Sequence, residues 1–137
     1  MSLILDASAT LAWLLPNEMT EEIESLFDRI LSEGATVPAL WHLEVANILT
    51  LSVRRSRITS TYRNAALEQL KLLSITIDAE TSRQAWSHTL VLADKHNLTL
   101  YDATYLELAL RFELPLATLD AALRRTAEKE KVPLLGM

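Results

Sequence analysis

Apolar positions recur along this chain with two periods, and the points where the period changes divide it into alternating strands and helices. Ser2 to Leu5 is a short apolar run that fits a buried parallel strand and ends at Asp6. Ala7 to Leu15 reads as a helix stopped by Pro16. Thr20 caps the next helix, whose apolar stripe is Ile23, Leu26, Phe27, Ile30 and Leu31, and Gly34 ends it. Ala35 to Val37 is a second strand closed by Pro38. Leu40 to Val53 is apolar nearly all round, the pattern of a mostly buried helix, with Glu44 its only charge and Asn47 one turn further on. A helix begins at Thr59 or Ser60 and runs to about Leu73, followed by a strand at Ile75 to Ile77. Asp78 is placed to cap a long helix from Ala79 to His96, and Asn97 suits its left-handed end. The next helix runs from Ala103 to near Leu114-Pro115, with Asp102 at its entrance. Leu116 to Leu119 is a fourth strand ending at Asp120, and Ala121 to about Lys131 is a helix with a basic face at Arg124, Arg125 and Lys129. Val132 to Leu135 closes the chain as a weak strand. Strands alternating with helices predict an α/β fold with a small central parallel sheet covered on both faces.

The acids at the joints of this pattern change the picture. An N-cap accounts for an isolated Asp before a helix. Asp102, however, is flanked by Leu98, Leu100, Tyr101, Ala103, Tyr105 and Leu106, and no Lys or Arg lies between Asn97 and Leu110. A carboxylate entering such surroundings needs an opposite charge, and a metal ion would supply one. Asp6 and Asp120 share one local order: apolar residues, an acid, then a helix. Ligands of parallel sheets bind beyond the carboxyl ends of the strands, so both acids should face one edge. Glu44 is the fourth acid, stranded in an apolar helix. Carboxylates gathered in one pocket repel unless divalent cations neutralise them. Ligation by oxygen alone suits Mg²⁺ or Mn²⁺, and the chemistry it favours is metal-assisted hydrolysis of a phosphodiester.

Composition narrows the classes. A chain of 137 residues reads as a single domain, residues 1–137, able to bury a core. It has no Cys, which excludes disulfides, thiolate catalysis and Cys-ligated zinc. Its two Gly are too few for a phosphate-binding glycine loop. His42, His88 and His96 are not spaced as zinc ligands. No apolar run approaches the roughly 20 residues of a membrane helix and no export signal precedes Leu5, so no membrane association and a cytoplasmic location are expected. The net charge of −5 argues against bulk attraction to nucleic acid. Charge is uneven, though: up to Glu44 the only Lys or Arg is Arg29, while Arg54, Arg55, Arg57 and Arg63 follow closely.

Four pieces of the chain together are specific: Leu5-Asp6-Ala7-Ser8; Pro38 through Glu44-Val45-Ala46-Asn47; Tyr101-Asp102-Ala103 with Tyr105 and Ala109; and Ala117-Thr118-Leu119-Asp120. In these residues, their order and the total length, the chain resembles the PIN-domain ribonucleases, and within them the VapC-type toxins of bacterial and archaeal toxin–antitoxin pairs. The resemblance implies a three-layer α/β/α sandwich and an acidic quartet at Asp6, Glu44, Asp102 and Asp120. That quartet would hold Mg²⁺ or Mn²⁺ for endonucleolytic cleavage of RNA. Asp6 and Asp102 would be direct ligands, Glu44 would ligate or position the attacking water, and Asp120 would hold a second metal directly or through water. Ser8 and Thr118 match small hydroxyl positions that orient the acids, and Asn47 matches an Asn beside the Glu. The resemblance also implies a cognate antitoxin protein and a homodimer. An antitoxin would lie in a groove that shields the acids; Trp13, Trp41 and Leu51 are assigned to the core rather than to that groove. Relatives usually carry Gly where this chain has Asn97, a residue that tolerates the same left-handed backbone. The acidic net charge leaves the grip on RNA open, with Arg54, Arg55 and Arg57 as candidates for phosphate contact.

Two other readings compete. Asp6 after the first strand also marks aspartyl-phosphate enzymes. Those of the haloacid dehalogenase type need a second Asp two residues on, where Ser8 stands, and receiver domains need a Lys after a late strand, where none follows Leu119. The alternative is a non-catalytic PIN-like module that binds protein or RNA, which the presence of all four acids disfavours.

Overall fold

A computed structural model of the chain describes residues 2–137. Strands β1 (Ile4–Leu5), β2 (Ala35–Val37), β3 (Ile75–Ile77), β4 (Leu116–Ala117) and β5 (Leu134–Leu135) form one parallel sheet in the order β3-β2-β1-β4-β5. Ile4 pairs with Thr36 on one side and Leu116 on the other, so β1 is central. Leu3, Ile4 and Leu5 are fully buried, as a strand covered on both faces requires.

The connections are α1 (Ala7–Leu14), α2 (Glu21–Glu33), α3 (Leu40–Arg54), α4 (Ser60–Leu70), α5 (Thr81–Ala85), α6 (His88–His96), α7 (Leu100–Phe112) and α8 (Ala121–Lys129). Their contacts fall into two groups: α1 meets α2 and α3, and α3 meets α4; α7 meets α5, α6 and α8. Right-handed crossovers put the first four helices on one face and the last four on the other. The result is a three-layer α/β/α sandwich. The order in which strands are added reverses between β1 and β4, the kind of switch point beside which ligands of open parallel sheets bind. None of the helices among the described residues is long and apolar enough to cross a membrane.

Local sequence accounts for most boundaries. Thr20 accepts a hydrogen bond from Ile23 N, and Ile23, Leu26, Phe27 and Ile30 turn inward from α2. Gly34 (φ 78°) and Asn97 (φ 53°) end α2 and α6 in backbone forms suited to Gly and Asn. Trp13 stacks on Phe27 with ring centroids 4.2 Å apart, and Trp41 is buried, so both belong to the core.

Several expectations are corrected. The helix containing Glu44 is not buried all round: Leu43 is 76% exposed, and Ile48 is also exposed. Only the stripe Trp41, Val45, Leu49 and Ser52 faces inward; composition registers apolarity, not which side is covered. Leu31 is exposed, and Leu51 lines a groove instead of joining the core. The helix starting at Ser60 ends at Leu70, short of Leu73. The long helix from Ala79 breaks in two at Ser87, whose N–H bonds Gln84 O three residues back and whose ψ of −100° turns the chain. Asp78 does not cap a long helix. Its carboxylate takes Glu80 N and Thr81 Oγ1 and is clamped by Arg111 through both guanidinium nitrogens, at 2.9 and 2.7 Å. Arg111 also meets Glu107 on α7 at 2.8 Å, so one cation serves two buried acids across elements.

Candidate active site

Asp6 leaves β1 and caps α1. Its Oδ1 accepts Ala9 N at 3.0 Å and Ser8 Oγ at 2.7 Å, and Oδ2 accepts Thr118 Oγ1 at 2.5 Å. Thr118 lies just beyond β4, the strand paired with β1, which is how a residue so distant in the chain reaches Asp6. The hydroxyls are held in turn: Ser8 Oγ accepts Leu119 N, and Thr118 Oγ1 accepts Asp120 N. Asp120 caps α8 by accepting Leu123 N at 2.8 Å. Asp6 and Asp120 are therefore N-caps, and both stand at one sheet edge; the two readings are compatible.

Thr10 Oγ1 bonds the Asp6 carbonyl and accepts Trp41 Nε1 at 3.0 Å. This chain of contacts ties α3, and with it Glu44, to the mouth of β1. Glu44 is partly buried, and its Oε1 accepts the Tyr105 hydroxyl. Asp102 is not the cap of α7. Thr99 caps it, and Asp102 sits in the first turn with its N–H on Thr99 Oγ1 at 3.1 Å. A carboxylate there still meets the positive end of the helix dipole. Asn47 is exposed and stands outside this network.

Electrostatics show the acids in one another's reach. Burial pushes the Asp6 carboxyl up; Ala9, Thr118 and Ser8 oppose this, and the charge of Asp102 adds to it. Glu44 is raised by burial, against the Tyr105 hydrogen bond, with Asp102 and Asp6 adding. Asp102 is raised by burial and then by Asp120. No Lys or Arg opposes any of these three shifts. Asp6, Glu44 and Asp102 are answered only by neutral donors. Among the described residues no three acids or histidines close on a single ion. Mg²⁺ does not need such a cage, since it keeps several waters and takes one or two carboxylates.

The sequence does not mark Tyr105 as a partner of Glu44, because its position fits the apolar stripe of α7; the one signal is its hydroxyl, which needs a partner when buried. Of the three candidate arginines, Arg55 and Arg57 line a groove that also contains Ser8 and Asp120, whereas Arg54 does not.

A sequence profile of the PIN domain matches residues 3–129. The chain belongs to the PIN-domain family. It is similar to Ribonuclease VapC3 of Pyrobaculum aerophilum, 36% identical over 135 residues, spanning 94% of this chain and 95% of that protein. Among solved PIN-like structures, PAE2754 from Pyrobaculum aerophilum superposes with a TM-score of 0.72 at 23% identity, over 98% of this chain and 83% of its own. FitAcB from Neisseria gonorrhoeae gives 0.66 at 18% identity, over 97% and 96%. The Mycobacterium tuberculosis toxin VapC20, which cleaves the sarcin–ricin loop, gives 0.57 at 18%, over 90% and 94%. These structures share the PIN fold with the chain.

Proposed function

We propose that this PIN-domain protein, residues 1–137 as one domain, is a metal-dependent endoribonuclease and the toxin of a toxin–antitoxin pair. The observation that carries the reading is the set Asp6, Glu44 and Asp102, each raised first by burial and then by the charge of a neighbouring acid, Asp120 acting on Asp102, with no Lys or Arg opposing these three shifts. An all-oxygen donor set of this charge fits Mg²⁺ or Mn²⁺. Asp6 and Asp102 would hold the ion, with Asp120 holding a second. The bound metal would supply a lowered water pKa and neutralise charge gathering on the phosphodiester.

The residues do the rest. Ser8, Thr118 and Ala9 N fix the Asp6 carboxylate so that a lone pair of Oδ2 stays available. Glu44, held through one oxygen by Tyr105, orients the attacking water and takes its proton. Water oxygen bonds to phosphorus, the P–O bond to the leaving sugar oxygen breaks, and that oxygen takes up a proton. The relatives' names add a ribonuclease and a toxin to the family, which supports RNA as substrate and a protein antitoxin as partner; a cytoplasmic location is proposed with them. The homodimer rests on family resemblance.

Incubation of the purified protein with total RNA in Mg²⁺ or Mn²⁺ is expected to give internal cuts that EDTA abolishes. Cleavage unaffected by EDTA, or no cleavage with either metal, would overturn the reading.

A further inference from the structure

Helix α3 ends in a tight reversal. Arg55 N bonds Leu51 O, Ser56 N bonds Val53 O at 3.0 Å, and Arg57 N bonds Ser52 O at 2.9 Å, with Ser56 in the left-handed region at φ 57°. This is the paired-bond helix end usually built on Gly. Backbone N–H groups thus satisfy the terminal carbonyls, and no arginine is needed to cap them. No ion pair of the described residues involves Arg54, Arg55 or Arg57, nor Arg63, Arg124 or Arg125, whereas Arg29, Arg83 and Arg111 are each matched to an acid. A helix C-terminus attracts cations of itself, which accounts for Arg54 as well as the others. It does not account for two of the three lining one groove with Ser8 and Asp120.

That groove has a volume of about 750 Å³, within the range of ligand-sized clefts. Leu11, Leu15, Ile48 and Leu51 form its apolar floor. The floor carries no aromatic ring on which bases could stack, so the strong attraction available is charge. Among the acids of the lining, Glu18 stands with Asp120 against the two guanidinium groups.

We infer that Arg55 and Arg57 grip the phosphates of single-stranded RNA in this groove and deliver the strand to the carboxylate cluster at Asp120. The inference rests on the ribonuclease reading and names the substrate-holding surface of that site. It resolves how a chain with a net charge of −5 holds a polyanion: locally, through two unneutralised guanidiniums beside the acids, each suited to bidentate phosphate contact. Phosphate contacts position a strand without reading its sequence. The groove therefore contributes affinity and register, and base preference must come from elsewhere.

The test is binding of a fluorescent oligouridylate by anisotropy in EDTA, where nothing is cut, across a salt series. Changing Arg55 and Arg57 together to Ala is expected to weaken binding about tenfold or more and to reduce the slope of log K against log salt by about 1.4, two single-strand phosphate contacts. Arg54→Ala removes the same charge and should leave affinity and slope unchanged. Changing Arg55 and Arg57 to Lys should keep the slope, and Glu18→Gln should tighten binding. An unchanged slope in the Ala pair, or an equal loss in Arg54→Ala, overturns the inference. So does a groove that binds poly-L-glutamate through Arg55 and Arg57 in preference to oligouridylate, the signature of an acidic protein partner. A wild type that neither binds nor cuts RNA brings down the ribonuclease reading and this inference with it. A wild type that cuts RNA while the Ala pair keeps its slope brings down this inference alone.

Discussion

Tyr105 on α7 donates its phenolic proton to Glu44 Oε1 on α3 at 2.5 Å, across the sheet edge between the two helical layers. The ring is buried, and burial together with Glu44 pushes the phenol pKa far up, so the donor stays protonated. A neutral donor fixes the carboxylate without cancelling its charge, as a Lys or Arg would. Tyr105→Phe keeps the packing ring and removes the bond, at a stability cost of about 1–2 kcal/mol. We expect kcat to fall about tenfold with the KM for RNA unchanged, and Mn²⁺ affinity measured by calorimetry to weaken. Wild-type kcat and metal affinity in this variant would remove the positioning role from Tyr105.

Asp6→Asn and Asp102→Asn test the cluster directly. Each should abolish metal-dependent cleavage while leaving the circular dichroism spectrum intact. Asp102→Asn should also raise the melting temperature in EDTA, because it removes the charge that burial and Asp120 penalise. Full cleavage by either variant would strip that residue of its place in the reaction.

The same cluster sets the pH dependence. Asp6, Glu44 and Asp102 have folded pKa values raised above the unfolded ones, so the folded state binds protons more readily there. Their ionisation destabilises the fold above the folded pKa, and the penalty is relieved as pH falls through it. In EDTA, melting temperature should rise as pH drops from neutrality to about 5, above the ordinary carboxylate range. In Mg²⁺ the slope should reverse, since protons then displace the ion. A melting temperature that falls in EDTA over that interval would contradict the charge cluster.

Arg111 offers a contrast. It holds the Asp78 carboxyl below its usual range, so that contribution is present above the unfolded pKa and lost as pH falls through the folded one. Arg111→Met leaves Asp78 and Glu107 buried without a cation, and urea unfolding at neutral pH should show a loss of about 3–5 kcal/mol. The variant should gain stability on mild acidification where the wild type loses it on stronger acidification. A cost below 1 kcal/mol, a value suited to exposed pairs of about that size, would show that the clamp is not structural.

Thr118→Val removes the donor to Asp6 Oδ2 and leaves Asp120 N without its acceptor. It should lower cleavage and stability together, the latter by about 1–3 kcal/mol. Thr118→Ser, which restores the hydroxyl, should recover cleavage.

Much of this was legible because it is local. Asp6 and Asp120 could be placed at one edge from the order strand, acid, helix, since a parallel sheet puts all such joints on the same side. Gly34 and Asn97 announced their turns by their backbone preferences. The illegible parts depend on contacts distant in sequence. Tyr105 and Glu44 are separated by 61 positions, and nothing near either one marks the pairing. The break at Ser87 carries neither Gly nor Pro to announce it, and the helix beyond it packs along α7. The start of α7 is not fixed by pattern, because two capping residue types stand three apart, Thr99 and Asp102, and Thr99 is the one that caps. The exposed Leu43 misled for a different reason: hydrophobic periodicity locates an apolar face but not its cover.

Asp6 obtains one of its hydroxyl partners from Thr118, 112 positions downstream, and its own N–H bonds the carbonyl of Ala117. A polypeptide still emerging from the ribosome carries Asp6, Glu44 and Asp102 long before the strand that steadies the first of them has been synthesised. The hydrogen-bonded form of Asp6 is therefore reached only once the chain through Thr118 has been made.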